Sequence, residues 1–126
     1  SKIIEVTVIK AKTQIQAKNI AFSVINSPLV KTAIAGEDAN WGRIIMAIGK
    51  TYEKIDQNKI QVSFGNNIVC ANGEIYKKIN LNSLNKYMKK NMIRIKINLE
   101  IGKFSKTVTG NDLTHQYINI NADYRS

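Results

Sequence analysis

The chain has 126 residues, 44% of them hydrophobic, one Cys, one His and a formal net charge of +10. That size suits one domain that buries a core without staples, and the ordinary hydrophobic share argues against disorder. A lone Cys excludes an internal disulfide and, with one His, a zinc site; no apolar run nears the roughly 18 residues that span a bilayer.

No signal-peptide pattern is present, and a start at Ser1 rather than Met points to a processed or partial chain. The positive charge raises a nucleic-acid or polyanion-binding module as one function class. Its cations are nearly all Lys, with Arg only at 43, 94 and 125. Arg is the residue that reads phosphate and guanine bidentately. The Lys residues are scattered, densest at Lys77-Lys78 and Lys86/Lys89/Lys90. Abundant Lys, Ile and Asn match the coding bias of an AT-rich genome, which accounts for much of the charge without a partner.

Residues 2–9 read as a strand, with Ile4, Val6 and Val8 alternating with Glu5 and Thr7. Thr13 and Gln16 have capping-box spacing, so a helix begins at Thr13. Its apolar face is Ala17, Ile20, Ala21, Val24 and Ile25, and it stops near Asn26 because Pro28 disfavours a helical residue before it.

The stretch from Ser27 to Lys50, SPLVKTAIAGEDANWGRIIMAIGK, holds the only Pro and the only Trp. Ser27 caps a helix with Pro28 at its first position, and Leu29, Val30, Ala33 and Ile34 share one face up to Gly36. Asp38 or Asn40 caps the next helix. There Trp41, Ile44, Ile45 and Ile48 recur at i, i+3, i+4, i+7 before Gly49. Two short helices thus meet at a polar elbow, and Trp41 is expected to be largely buried there.

After Lys50 the period becomes two. Ile60, Val62 and Phe64 form a strand, Gly65-Asn66-Asn67 a turn, Ile68-Val69-Cys70 a short strand, and Asn72-Gly73 another turn. Cys70 reads as a small buried hydrophobe, since nothing places His115 beside it as a base.

Residues 81–90 form a helix capped by Asn80 or Asn82, with Leu81, Leu84 and Met88 on one face and lysines in the last turn. Residues 92–99 are a strand, Ile93, Ile95, Ile97 and Leu99 facing one way. Gly102 leads to a strand around Phe104–Thr109 that Gly110 ends. Asp112 then caps a helix carrying Leu113, Tyr117 and Ile120, with His115 solvated. There are no repeats or linkers. Residues 1–126 are expected to form one α+β domain, a mostly antiparallel, roll-like sheet with helices packed on it.

These residues contain no metal-ligand spacing, no Gly-rich phosphate loop and no nucleophile elbow. The polar tail Asn121–Ser126 carries Tyr124 and Arg125, and Tyr124 is costly to leave in water.

Two motifs name a family. SPLVKTAIAGEDANWGRIIMAIGK resembles a stretch of the ornithine acetyltransferases, also called bifunctional glutamate N-acetyltransferases. GNDLTHQYININADYRS resembles that family's closing segment, which ends NADYRT or NADYRS, and IQVSFG at Ile60–Gly65 matches a strand between them. The likeness covers essentially the whole chain. Asn111 departs from it, standing where the family usually has Cys, which reads as a packing change.

The resemblance implies a precursor that cleaves itself before a Thr, the freed Thr becoming the nucleophile of a second chain. That Thr takes an acetyl group from N-acetylornithine and passes it to glutamate by a ping-pong mechanism, with an oxyanion hole on the first chain; some members also use acetyl-CoA. Nucleophile, oxyanion hole and an acidic substrate residue all lie upstream. This chain is then the C-terminal domain of the second chain, with no catalytic residue of its own. By the same resemblance Asn121 and Ser126 bind substrate, an amide and a hydroxyl suiting α-amino and α-carboxylate groups. No cofactor or metal is implied. Expected partners are the upstream part of the same enzyme and its first chain in a heterotetramer, with no nucleic acid or membrane, in the cytoplasm. A second function class is a structural or assembly domain that touches no substrate.

Overall fold

The computed structural model describes residues 1–113. Its framework is a six-stranded sheet built from β1 (Ile3–Ala11), β2 (Gln61–Phe64), β3 (Asn67–Ala71), β4 (Glu74–Ile75), β5 (Met92–Asn98) and β6 (Phe104–Asn111). The strand order is β4-β3-β2-β5-β1-β6. Every pairing is antiparallel except that of the central β1 and β5, which run parallel with Val6 opposite Ile95. The expected α+β class is what forms. Its helices are α1 (Gln14–Ile25), α2 (Pro28–Ala35), α3 (Trp41–Gly49) and α4 (Leu81–Met88).

Alternation in the strands decides which face the helices cover. Ile4, Val6 and Val8 of β1 and Ile93, Ile95 and Ile97 of β5 are buried, joined by Val62, Phe64 and Val108. They meet Ala17, Ile20, Ala21 and Val24 of α1, Ile44 and Ile48 of α3, and Leu84 and Met88 of α4 in one core. Burying such Ile and Val side chains stabilises by roughly 1.5–3 kcal/mol each. The opposite face is polar: Glu5 lies beside Arg94, with 3.6 Å between Oε1 and Nε, and the hydroxyls of Thr7 and Thr107 are 3.0 Å apart.

The helix starts follow the sequence with one variation. Thr13 Oγ1 accepts the Gln16 N–H at 3.1 Å, as a capping box requires. The Gln16 side chain does not return to residue 13. It accepts from the Lys12 N–H and donates to the Lys54 carbonyl, tying the start of α1 to a distant loop. Ser27, Asn40 and Asn80 cap α2, α3 and α4 through their side-chain oxygens.

Four details differ from the sequence reading. Leu29 is 43% exposed, because only Val30, Ala33 and Ile34 of α2 reach the core. Leu81 stands outside the covered stripe of α4 in the same way. Trp41 is half-buried rather than buried. It is the first residue of α3, and its ring packs at the rim, beside a cleft of about 280 Å³ shared with Val69, Ile79 and Leu84. Gly110 does not end β6 but pairs with Ile4 inside it, and a Cβ there would lie 3.0 Å from Cγ1 of Ile25.

Candidate functional site

The two residues expected to hold substrate, Asn121 and Ser126, lie outside the described residues, as do His115, Tyr117, Ile120, Tyr124 and Arg125. The structure does describe the place from which that segment departs.

Strand β6 brings the chain to the end of the sheet where β1 begins, with Ile3 opposite Asn111. The next two residues, Asp112 and Leu113, are then held by three hydrogen bonds. The Asp112 N–H donates to the Lys2 carbonyl at 3.2 Å. The Leu113 N–H donates to Oδ1 of Asn111 at 3.1 Å, closing an Asx turn. The Leu113 carbonyl accepts from Nζ of Lys31 at 3.0 Å. Lys2 is itself anchored, its Nζ donating to the carbonyls of Met88 and Lys90 at 2.9 and 2.6 Å. Cations suit that position because the last carbonyls of α4 carry partial negative charge.

The elbow between α2 and α3 closes alongside. Arg43 of α3 donates from Nη1 to the Leu29 carbonyl at 2.8 Å, and Ser23 of α1 donates to the Ala47 carbonyl at 2.6 Å. Glu37, with φ 60°, makes the turn that follows Gly36, and its carboxylate pairs with Lys89 of α4 at 3.3 Å. An exposed pair of this kind contributes about 0–1 kcal/mol.

Nucleophilic chemistry at Cys70 is disfavoured by its setting. The side chain is buried, with Sγ 3.9 Å from the Ile60 carbonyl. Burial pushes the thiol above its ordinary range, and a backbone hydrogen bond involving Gly73 offsets this only in part. Among the described residues no group of three or more His, Cys, Asp or Glu side chains could hold a metal ion, and no helix is long and apolar enough to cross a membrane. A second cleft of about 390 Å³ between α4 and the β2–β3 turn is lined by Lys86, Lys90 and Arg94 with Tyr87 and Ser83.

Sequence reasoning did not find Lys2, Lys31 or the Asn111 turn. Lys31 falls among the polar positions of α2, and the residue it bonds lies 82 positions away. No local pattern signals such a pair.

Against this geometry, the model of the ArgJ family matches residues 1–126, the full length. The chain belongs to the ArgJ family. It is 47% identical over 125 residues to the arginine biosynthesis bifunctional protein ArgJ of Brucella melitensis biotype 1, covering 99% of this chain and 30% of that protein. It is also 47% identical over 126 residues to the arginine biosynthesis bifunctional protein ArgJ 2 of Clostridium acetobutylicum, covering 98% of this chain and 32% of the relative. A crystal structure of the arginine biosynthesis bifunctional protein argJ from Bacillus halodurans superposes with a TM-score of 0.87 at 37% identity, over 98% of this chain and 58% of that one. The chain therefore spans about a third of the length of these curated ArgJ relatives, and its six-stranded fold is an ArgJ fold.

Proposed function

We propose that this chain is the C-terminal domain of an acetyltransferase of arginine biosynthesis that moves an acetyl group from N-acetylornithine to glutamate. The single observation carrying this is the 47% identity to arginine biosynthesis bifunctional proteins across 99% of the chain. The closing sequence NADYRS adds to it.

In this reading the hydroxyl of an upstream Thr attacks the acetyl carbonyl of N-acetylornithine. The C–N bond breaks, ornithine leaves with a proton on its amine, and an acetyl ester remains on the Thr. The amine of glutamate then attacks that ester, forming N-acetylglutamate and returning the proton to the Thr. The acyl carrier is the Thr itself, so no cofactor or metal is needed, and acetyl-CoA could donate the acetyl group in the same way. Asn121 and Ser126 hold the α-amino and α-carboxylate groups common to both amino acids. One set of contacts then serves both halves of the exchange. The working enzyme combines this domain with its upstream part and a first chain, as a cytoplasmic heterotetramer.

The anchored exit at Asn111–Leu113 supports the reading, because a segment that must reach a pocket needs a fixed origin. The test is Asn121→Ala in the complete enzyme. Losing one buried hydrogen-bond partner costs about 1–3 kcal/mol, so the efficiency of transfer should fall about tenfold while folding is kept. Unchanged efficiency would refute the role of Asn121. The isolated 126-residue chain should transfer nothing, because the nucleophile is absent, and measurable transfer by it would refute the assignment.

A further inference from the structure

Three cations meet in the cleft of about 390 Å³ between α4 and the β2–β3 turn. Ser83, Lys86, Tyr87 and Lys90 recur at i, i+3, i+4 and i+7 along one wall, and Arg94 of β5 joins them. Among the described residues no Asp or Glu lines this cleft. The negative end of the helix dipole accounts for lysines at the end of α4. It does not account for two of them sharing a cleft with an arginine from a separate strand. Lys89, between them in sequence, pairs with Glu37 at 3.3 Å. Lys86 and Lys90 have no acidic partner among the described residues, and Nζ of Lys90 lies 5.6 Å from the centre of the Tyr87 ring. Glu5 approaches Arg94 at Nε, 3.6 Å away, which leaves the terminal guanidinium nitrogens available. Like charges gathered in this way repel one another, and an anion among them offsets that cost. The frame is fixed, because the Tyr87 hydroxyl accepts the Arg94 N–H at 2.8 Å and the ring packs on Gly65. Lys2 also donates to the carbonyls of Met88 and Lys90, which offsets the partial negative charge at that end of α4.

We propose that this cleft binds a small phosphate-bearing anion. A multiply charged phosphate group answers two ammonium groups and a guanidinium, whereas a single carboxylate leaves cations unmatched. Arg94 offers the planar fork that suits phosphate oxygens, and the two lysines act as point charges. The Ser83 hydroxyl and the Asn66 amide line the same cleft and supply neutral donors. A volume of about 390 Å³ lies within the range of small-molecule pockets and admits a phosphate with an organic body attached. The site does not depend on the acetyl-transfer reading, since it uses neither Asn121 nor Ser126.

The test titrates pyrophosphate into the complete enzyme by calorimetry at fixed ionic strength, with succinate as the dicarboxylate comparison and a DNA duplex of arbitrary sequence as the extended polyanion. Pyrophosphate should bind once per domain with a Kd at or below about 1 mM, and succinate at least about tenfold more weakly. The pair Lys86→Gln and Lys90→Gln should weaken pyrophosphate about tenfold or more at unchanged Tm. Lys18 and Lys77 are exposed and stand outside the cleft. Lys18→Gln with Lys77→Gln removes the same charge and should change the affinity less than about twofold, because exposed charges at a distance are screened. Arg94→Lys, which keeps the charge and loses the fork, should weaken binding severalfold. Modification of lysines by an amine-reactive ester, read by mass spectrometry, locates the site without any substitution. Pyrophosphate should protect Lys86 and Lys90 and leave Lys18 and Lys77 reactive. Absence of pyrophosphate binding, equal losses for the two lysine pairs, or protection spread evenly over all four lysines would overturn the proposal. So would succinate binding as tightly as pyrophosphate, which would make the site one for carboxylates, or duplex DNA binding more tightly, which would make it a nucleic-acid surface.

Discussion

The ring of Tyr87 occupies the space that a side chain at residue 65 would fill. A Cβ on Gly65 would lie 2.5 Å from Cε1 of Tyr87, and Gly65 has φ +59°, which L side chains rarely adopt. The Tyr87 hydroxyl accepts the Arg94 N–H at 2.8 Å, and the Gly65 N–H donates to the Arg94 carbonyl at 2.8 Å. One aromatic residue of α4 thus finishes the β2–β5 ladder where β2 runs out.

Gly65→Ala should cost about 2–4 kcal/mol, combining the left-handed backbone with overpacking. Tyr87→Phe, which leaves the Arg94 N–H without its acceptor, should cost about 1 kcal/mol. In a double-mutant cycle Tyr87→Ala should relieve much of the Gly65→Ala penalty, giving a coupling well outside additivity. Additive denaturation energies would show that the two residues do not meet.

Trp41 is half-buried at the rim of the core. Trp41→Ala should therefore cost about 2–3 kcal/mol, below the 3–5 kcal/mol of a fully enclosed aromatic. Urea denaturation with an unchanged m-value checks this. A loss under 1 kcal/mol would mean that the ring contributes little to the core.

Cys70 gives a pH dependence whose sign is fixed. Burial raises its folded-state pKa above that of the unfolded chain, so the unfolded chain loses a proton that the folded chain keeps. Its contribution to stability is complete below the ordinary thiol range, about 8.5, and is lost as pH rises through the folded value. Cys70→Ala should flatten the alkaline decline, measured as midpoint against pH. Native protein should react slowly with a thiol reagent until it unfolds; fast labelling at neutral pH would contradict the burial.

Much of the fold is legible because its signals are local. Alternation marks β1 and β5, and Thr13, Ser27, Asn40 and Asn80 each cap within three residues of themselves. What is illegible is non-local or a matter of width. The parallel β1–β5 pairing joins residues about ninety apart, and nothing in either strand names its partner. Periodicity marks the right face of α2 but not its breadth, so Leu29 shares that face with Val30, Ala33 and Ile34 and yet stands exposed. Strand β4 is two residues long, too short to carry a period. The candidate site divides the same way. Asn121 and Ser126 come from a closing motif recognised as a string of letters, whereas Lys31 and Lys2 act through long-range bonds that only coordinates reveal.

The central claim is that the chain's end is part of the substrate pocket of the complete enzyme. The most direct measurement is kcat/KM for acetyl transfer from N-acetylornithine to glutamate in three forms of that enzyme: with residues 121–126 unaltered, with Ser126 deleted, and with a short tag inserted directly after Ser126. The account predicts that deletion and tag each lower efficiency by about tenfold or more, the loss expected for a buried hydrogen-bonding partner, at unchanged Tm. Equal efficiency in all three forms would contradict it.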